Sequence, residues 1–215
     1  MKKYITIFVS LLFLTIQSVK ADLAIGLTGA LHSFDVSGTE TTRQSSQKNT
    51  GSHSDEVGVA ELFIEASNDD GLAVGIAYIP TRDMGSKSRT DTNSDGDTGT
   101  YKAEAELDNV IQAYADIPFV DVMGSKVYLK VGIQHADVVT LESLNSGETY
   151  PNKSVMGYSV GLGAKGDVPY GSNMFYKLDL VYTDFGDYKA TGTADNRVEA
   201  ELEDVAAKFS VGYKF

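Results

Sequence analysis

Period-two alternation, sustained along most of the chain, is what most constrains the fold. Its clearest stretch is the last seven residues, where Phe209, Val211, Tyr213 and Phe215 alternate with Ser210, Gly212 and Lys214. Apolar residues on one face and small or charged ones on the other describe a strand with oil on one side and polar side chains on the other. Seven earlier segments repeat the pattern. Leu23 to about Phe34 carries Leu23, Ile25, Leu27 and Leu31 on one face, and Val57 to Ala66 sets Ala60, Leu62 and Ile64 against Glu61, Phe63 and Glu65. Leu72 to Ile79 presents Leu72, Val74, Ile76 and Tyr78, and Tyr101 to about Asp116 opposes Tyr101, Ala103, Ala105, Leu107 and Ile111 to Lys102, Glu104, Glu106, Asp108 and Gln112. The fifth segment alternates Val127, Leu129, Val131 and Ile133 with Tyr128, Lys130, Gly132 and Gln134. The sixth sets Tyr158, Val160, Leu162 and Ala164 against Ser159, Gly161, Gly163 and Lys165. The seventh sets Tyr176, Leu178, Leu180 and Tyr182 against Lys177, Asp179 and Val181, and the eighth starts at about Val205.

One face of each segment is free of charge over the length that a tilted membrane strand needs. The connections alternate too: Val36 to Glu56, Thr81 to Thr100, Asp137 to Val155 and Asp184 to Glu203 are long and polar, whereas Ser67 to Gly71, Ile117 to Lys126 and Gly166 to Asn173 are short. Long loops on one side and short turns on the other are the pattern of an even-stranded bacterial barrel. In that topology Tyr78, Tyr101, Tyr158 and Tyr182 fall near the outer rim, and Tyr176, Tyr213 and Phe215 near the periplasmic rim, forming two aromatic girdles. Tyr114 breaks the parity of the fourth segment, which predicts a bulge or register change near Asp108 to Ile111. The expected fold is all-β, an eight-stranded antiparallel up-and-down transmembrane β-barrel over residues 22–215.

Residues 1–21 read as a cleaved secretory signal peptide: Lys2 and Lys3, an apolar run from Ile5 to Ile16, and Val19-Lys20-Ala21 before the cut. The run is shorter than the roughly 20 residues a spanning helix needs. The chain carries 18 basic and 30 acidic residues, a net charge of −12, and losing the three leader lysines leaves 15 against 30. That balance argues against nucleic acid and against a polybasic membrane-surface patch. With no cysteine there is no disulfide framework, thiolate metal site, cysteine nucleophile or lipoprotein anchor.

The alternation ending on Phe215, the loop asymmetry and the Tyr182-Thr183-Asp184-Phe185-Gly186 stretch leaving the seventh segment together resemble the OmpA-like and OmpX-like family of small eight-stranded outer-membrane barrels. By that resemblance, Phe209, Val211, Tyr213 and Phe215 form the signal read by the barrel-assembly machinery. It also implies residence in the outer membrane of a Gram-negative bacterium after export to the periplasm, with outer-membrane lipid as a partner. No peptidoglycan-binding domain is expected. The resemblance leaves the activity open, because such scaffolds host structural, adhesive, transport and enzymatic roles.

Inside the barrel the predicted residues are Glu61, Glu65, Glu104, Glu106, Asp108, Asp179 and Asp204 with Lys130, Lys165, Lys177, Lys208 and Lys214. Because eight strands leave an interior only wide enough for side chains, these are expected to pair as a structural plug rather than line a pore. His53-Ser54-Asp55 has the residue types of a hydrolytic triad, but neighbours in a loop seldom hold triad geometry. Asp91-Thr92-Asn93-Ser94-Asp95-Gly96-Asp97 matches the start of a calcium loop; the twelfth position is Lys102, so a solvated acidic turn is expected. Gly157, Gly161 and Gly163 are expected to make room for inward neighbours. The sequence thus predicts a non-enzymatic, structural and surface-interactive barrel, with no cofactor and no metal, presenting four polar loops to a ligand it does not name. A narrow channel is the alternative; a lipid-modifying barrel enzyme and a soluble periplasmic barrel that binds a ligand stand further off.

Overall fold

Residues with alternating polarity form strands because each strand then offers one face to each of two environments, and here the strands close on themselves. The computed structural model describes residues 21–43, 46, 48–92, 98–141, 148–169 and 173–215; residues 1–20 of the predicted leader and Asn93 to Asp97 of the predicted calcium loop lie outside the described residues. Nine strands follow one another among the described residues: β1 (Asp22–Thr41), β2 (Lys48–Ser67), β3 (Ala73–Ile79), β4 (Arg82–Thr92), β5 (Thr98–Val122), β6 (Ser125–Thr140), β7 (Lys153–Asp167), β8 (Met174–Thr191) and β9 (Arg197–Lys214). Consecutive strands pair antiparallel except that β3 pairs with β2 and β5, and β1 pairs with β9 to close the ring. β3 and β4 are two parts of one ascending strand broken at Pro80, which lacks the amide proton a ladder uses. The result is an eight-stranded antiparallel transmembrane β-barrel.

Two expectations are corrected by the strand bounds. Three of the four long polar connections are mostly strand, since β1 runs to Thr41, β2 starts at Lys48, β4 runs to Thr92, β8 runs to Thr191 and β9 starts at Arg197, whereas Asp137 to Val155 is strand only to Thr140 and from Lys153. The barrel wall therefore continues well beyond the apolar belt as an extension. Ile117 to Lys126 is also shorter as a turn than expected, because β5 continues to Val122 and turns to β6 through Met123 and Gly124, both at positive φ.

The predicted break in the fourth segment is present. The β5–β6 register jumps between Asp108 and Ile111, and Asn109 has φ +51°. A bulge of this kind flips the faces on one side of it. Below it Gln112, Tyr114 and Asp116 are buried inside, as the parity of Gln112 predicts; above it Leu107 is the buried residue. Glu104, Glu106 and Asp108, predicted to line the lumen, therefore belong to the outer face.

Candidate functional site

The barrel interior is stacked in layers that the registers of the strands assemble. At the end of the barrel that carries the short turns Phe63, Phe175 and Tyr114 pack with Ala24 and Ala77. Several of these rings lie over a glycine directly across the ladder, in the rungs Gly26↔Phe63, Gly75↔Tyr114 and Phe175↔Gly212, where a Cβ would overlap the ring. Gly163 and Gly157 make the same room for Tyr128 and Phe185.

A charged layer surrounds these rings. Lys177 Nζ lies 2.9 Å from Glu65 Oε2 and 2.5 Å from Asp116 Oδ2, and Lys130 Nζ lies 2.7 Å from Asp116 Oδ1 and 3.6 Å from Asp179 Oδ1. Lys165 pairs with the other oxygen of Glu65 at 2.5 Å. Tyr114 Oη donates to Glu65 at 3.0 Å and Tyr128 Oη to Asp179 at 2.7 Å, while Lys130 sits 4.0 Å above the Tyr114 ring. Each carboxylate is thus met by a base and, for Glu65 and Asp179, by a phenol.

A second charged layer lies nearer the outer end. His32 Nε2 is 3.0 Å from Glu61 and Nδ1 2.8 Å from Asp204; Lys208 Nζ lies 2.9 Å from both oxygens of Glu61. Arg82, from the first position of β4, places Nη1 2.8 Å from His32 Nδ1 and 3.4 Å from Asp204, with its guanidinium 5.1 Å from the centre of the Phe34 ring. Nδ1 can donate to Asp204 or accept from Arg82, one at a time. Hydroxyl and amide pairs occupy further inward positions: Thr28 with Ser210 at 2.7 Å, Gln112 donating to Ser159 at 3.2 Å and Gln134 to Thr183 at 3.0 Å.

Across the two layers, Arg82, Lys130, Lys165, Lys177 and Lys208 face Glu61, Glu65, Asp116, Asp179 and Asp204, five bases and five acids. The interior charge cancels, which is the condition for burying that many ions where each alone would cost several kcal/mol. Above the charges the interior becomes apolar: Phe34, Ile79, Met84, Leu107, Val110, Ala136, Val138, Val155, Phe185 and Leu202 form one buried cluster with Tyr188 and Ala190.

No protein-family model matches the chain, and no curated protein matches it in sequence. Among solved structures, the outer membrane protein OprG from Pseudomonas aeruginosa aligns over 93% of this chain and 98% of its own, with 16% identity and a TM-score of 0.59. This chain has the fold of an outer-membrane β-barrel. Neisserial surface protein A aligns over 87% of this chain and 97% of its own at 12% identity and a TM-score of 0.45. The outer membrane protease OmpT from Escherichia coli aligns over 92% and 98% at 11% identity and a TM-score of 0.48.

On the outer wall of this outer-membrane-type barrel, Leu27, Leu31, Leu62, Ile64, Ile76, Val160, Leu162, Leu178, Leu180, Val205 and Phe209 are exposed. The four residues named as an assembly signal lie on this outward face of β9 or just past it: Phe209, Val211 and Tyr213, then Phe215, whose amide donates to the Leu23 carbonyl at 2.9 Å. Tyr78, Tyr158 and Tyr182 face outward at the upper edge of the belt, whereas Tyr114 faces inward.

Immediately above the belt the wall turns acidic. Asp184 stands opposite Glu203, Glu203 opposite Asp35, and Asp108 opposite Asp137. Like charges in such rungs repel, and each carboxylate here accepts a hydroxyl hydrogen bond or lies beside one that does. Tyr182 donates to Glu203 at 2.7 Å, Ser154 to Asp137 at 2.6 Å, Thr81 to Asp108 at 2.5 Å, and Ser54 to Asp35. The Ser54 hydroxyl is thus engaged by Asp35 rather than by His53, and the His53-Ser54-Asp55 run has no triad arrangement. Glu104 pairs with Lys102 on this outer side. Higher on β8, the carboxylates of Asp187 and Glu199 hold the Lys189 ammonium above the usual lysine range.

Sequence reasoning missed Asp116 and Arg82 as interior ions. Asp116 carries the even parity of Gln112 and Tyr114, which was the available signal. Arg82 follows the break at Pro80, where the count of faces restarts.

Proposed function

We propose that this chain is a sealed outer-membrane barrel whose role is structural and surface-interactive: it spans the lipid and raises a long β-walled extension into the medium. The observation that carries the reading is an inversion of polarity at one level of the wall. On β9, Val205, Ala207 and Phe209 face outward below that level with Asp204 and Lys208 inside, and Glu199, Glu201 and Glu203 face outward above it with Leu202 inside. On β8, Leu178, Leu180 and Tyr182 give way to Asp184 outside, while Lys177 and Asp179 give way to Phe185 inside. A wall with oil outside and ions inside suits lipid; ions outside and oil inside suits water.

Export through residues 1–21 and insertion by the assembly machinery through Phe209, Val211, Tyr213 and Phe215 belong to the same reading. So does the absence of a catalytic step or cofactor. The balanced interior supports a plug over a conduit, because an open water column would have to displace the Lys177, Lys130 and Arg82 pairs. Purified protein in planar bilayers is expected to show no stable openings, and folded protein in vesicles to be shaved by protease only above the belt. Stable ion-selective conductance, or protection of the extension with cleavage within the belt, overturns the reading. Deleting Phe215 is expected to lower the heat-modifiable folded form far more than Phe119→Ala; equal yields remove the assembly role.

A further inference from the structure

Outward side chains of the belt stand in rows along the rungs of the ladders, and the inward residues leave only backbone between the rows. One row is Gly29, Phe209, Leu178, Ala164 and Val127, from β1 through β9, β8 and β7 to β6. The next row up holds Leu31, Ala207, Leu180 and Leu162. Between them the rung of Ala30, Lys208, Asp179 and Gly163 faces the interior. A groove of about 820 Å³ follows this line across the wall. Lys208 sends its charge inward to Glu61, and Asp179 to Lys130 and Tyr128, which leaves the groove apolar.

The groove is wide because small residues alternate with large ones along its two banks. Gly29 stands against Leu31 on β1, Ala207 against Phe209 on β9 and Ala164 against Leu162 on β7, so one bank is low on each of these strands. On β8 and β9 the rows beyond are Tyr176 with Val211 and Tyr182 with Val205, all bulkier than Ala207. A Cβ at Gly29 would meet no atom within 4 Å, so the space over it belongs to whatever lies against the wall. In lipid, covering apolar surface brings no hydrophobic gain, and a neighbour is held by van der Waals contact. A groove with exposed Leu31, Leu162, Leu180 and Phe209 on its banks offers more of that contact than a flat wall does.

Length and slope both fit a single leaflet. From β6 to β1 there are strand spacings of about 4.8 Å that make the groove roughly 19 Å long. Strands of such barrels tilt by about 40°, so the rung climbs roughly 12 Å across the membrane, against roughly 15 Å for half of the hydrocarbon core. Val127 stands beside the short β5–β6 turn, whereas Gly29 and Leu31 stand well up β1. The groove therefore starts at the rim with the short turns and ends near the middle of the belt.

We propose that this groove holds one acyl chain of a phospholipid from the leaflet on the short-turn side, retained as part of the wall. The proposal rests on the reading of the belt as lipid-facing and adds that one lipid is bound at a fixed place there. The test uses the protein folded into vesicles of phosphatidylethanolamine and phosphatidylglycerol, extracted in mild detergent and weighed by native mass spectrometry. One phospholipid is expected to remain on the unaltered protein. Gly29→Leu fills the groove at a position with room for the side chain, and Ala207→Leu fills it from the other bank. Each should lower the retained fraction about fivefold or more by taking the place of the chain's contacts. Ala113→Leu adds the same kind of bulk on β5, in the rung between Ile76 and Ile133 and away from the groove, and should leave retention unchanged. Heat modifiability shows that each variant is folded, and Ala207→Leu serves where Gly29→Leu lowers the folded yield. Folded protein that keeps no phospholipid, or equal retention in the unaltered protein and all three variants, overturns the groove and leaves the belt reading standing. Displacement of the phospholipid by lipopolysaccharide added to the vesicles overturns the assigned leaflet. Protein that does not enter the vesicles at all overturns the belt itself.

Discussion

Glu203 and Val205 are successive outward residues on β9, and Leu202 and Asp204 successive inward ones, yet each pair changes character completely. Below this level the wall faces outward with Leu27, Leu162 and Leu180 and inward with Glu65, Lys130 and Lys177; above it Asp35, Asp184 and Glu201 face out while Phe34, Leu107 and Phe185 face in. Between β1 and β9 the antiparallel ladder runs without a register shift through both halves. What differs is the solvent, and a strand with two faces can satisfy lipid or water only by exchanging what it puts on each. The extension is thus a water-type β-barrel core set on top of a lipid-type one.

The largest expected effect tests the embedded half. Lys177→Ala removes the base that meets both Glu65 and Asp116 and should cost about 3 to 5 kcal/mol, because two buried carboxylates lose a partner. Urea unfolding in lipid vesicles measures this, and Lys189→Ala, in the extension beside Asp187, should leave the midpoint in place. Next is the interior of the upper half, where Leu202→Ala should cost about 2 to 5 kcal/mol by leaving a cavity. Hydrogen exchange should show that loss concentrated above Val205; a loss spread evenly through the belt would mean the halves unfold as one. Third, Leu180→Lys on the outward belt should destabilise by about 2 to 4 kcal/mol if it sits near the bilayer midplane. A value near zero, with an unchanged folded yield, would place β8 in water and undo the comparison. The smallest effect belongs to the outer face above the belt: Glu201→Gln should leave stability within about 0.5 kcal/mol, as surface substitutions usually do.

Much of the lower half was legible because its alternation is stark. On β2, β6 and β7 the outward and inward sets read from sequence are the ones observed, since a charge next to an aliphatic residue leaves little doubt which face meets lipid. The upper half was harder. Its outward residues are polar and its inward ones include small residues such as Ala136, Ala190 and Ala200, so Val36 to Glu56 and Asp184 to Glu203 read as loops although they continue strands. On β5, the break at Asp108 was foreseen from Tyr114, but its consequence for Glu104 and Glu106 depended on how many residues the bulge absorbs.

The sequence by itself determined that the chain is a ring of antiparallel strands and, outside the fourth segment, which face of each points outward, because period and charge are local properties that need no partner. Only the tertiary structure decided which ions meet. Lys177 reaches Glu65 and Asp116, and Arg82 reaches His32 and Asp204, across strands far apart in the chain. Those partners are set by the register of closure, by the bulge at Asn109 and by the break at Pro80. Each shifts faces or heights by a residue or two, and the interaction of two charges in a dry interior depends steeply on such displacements.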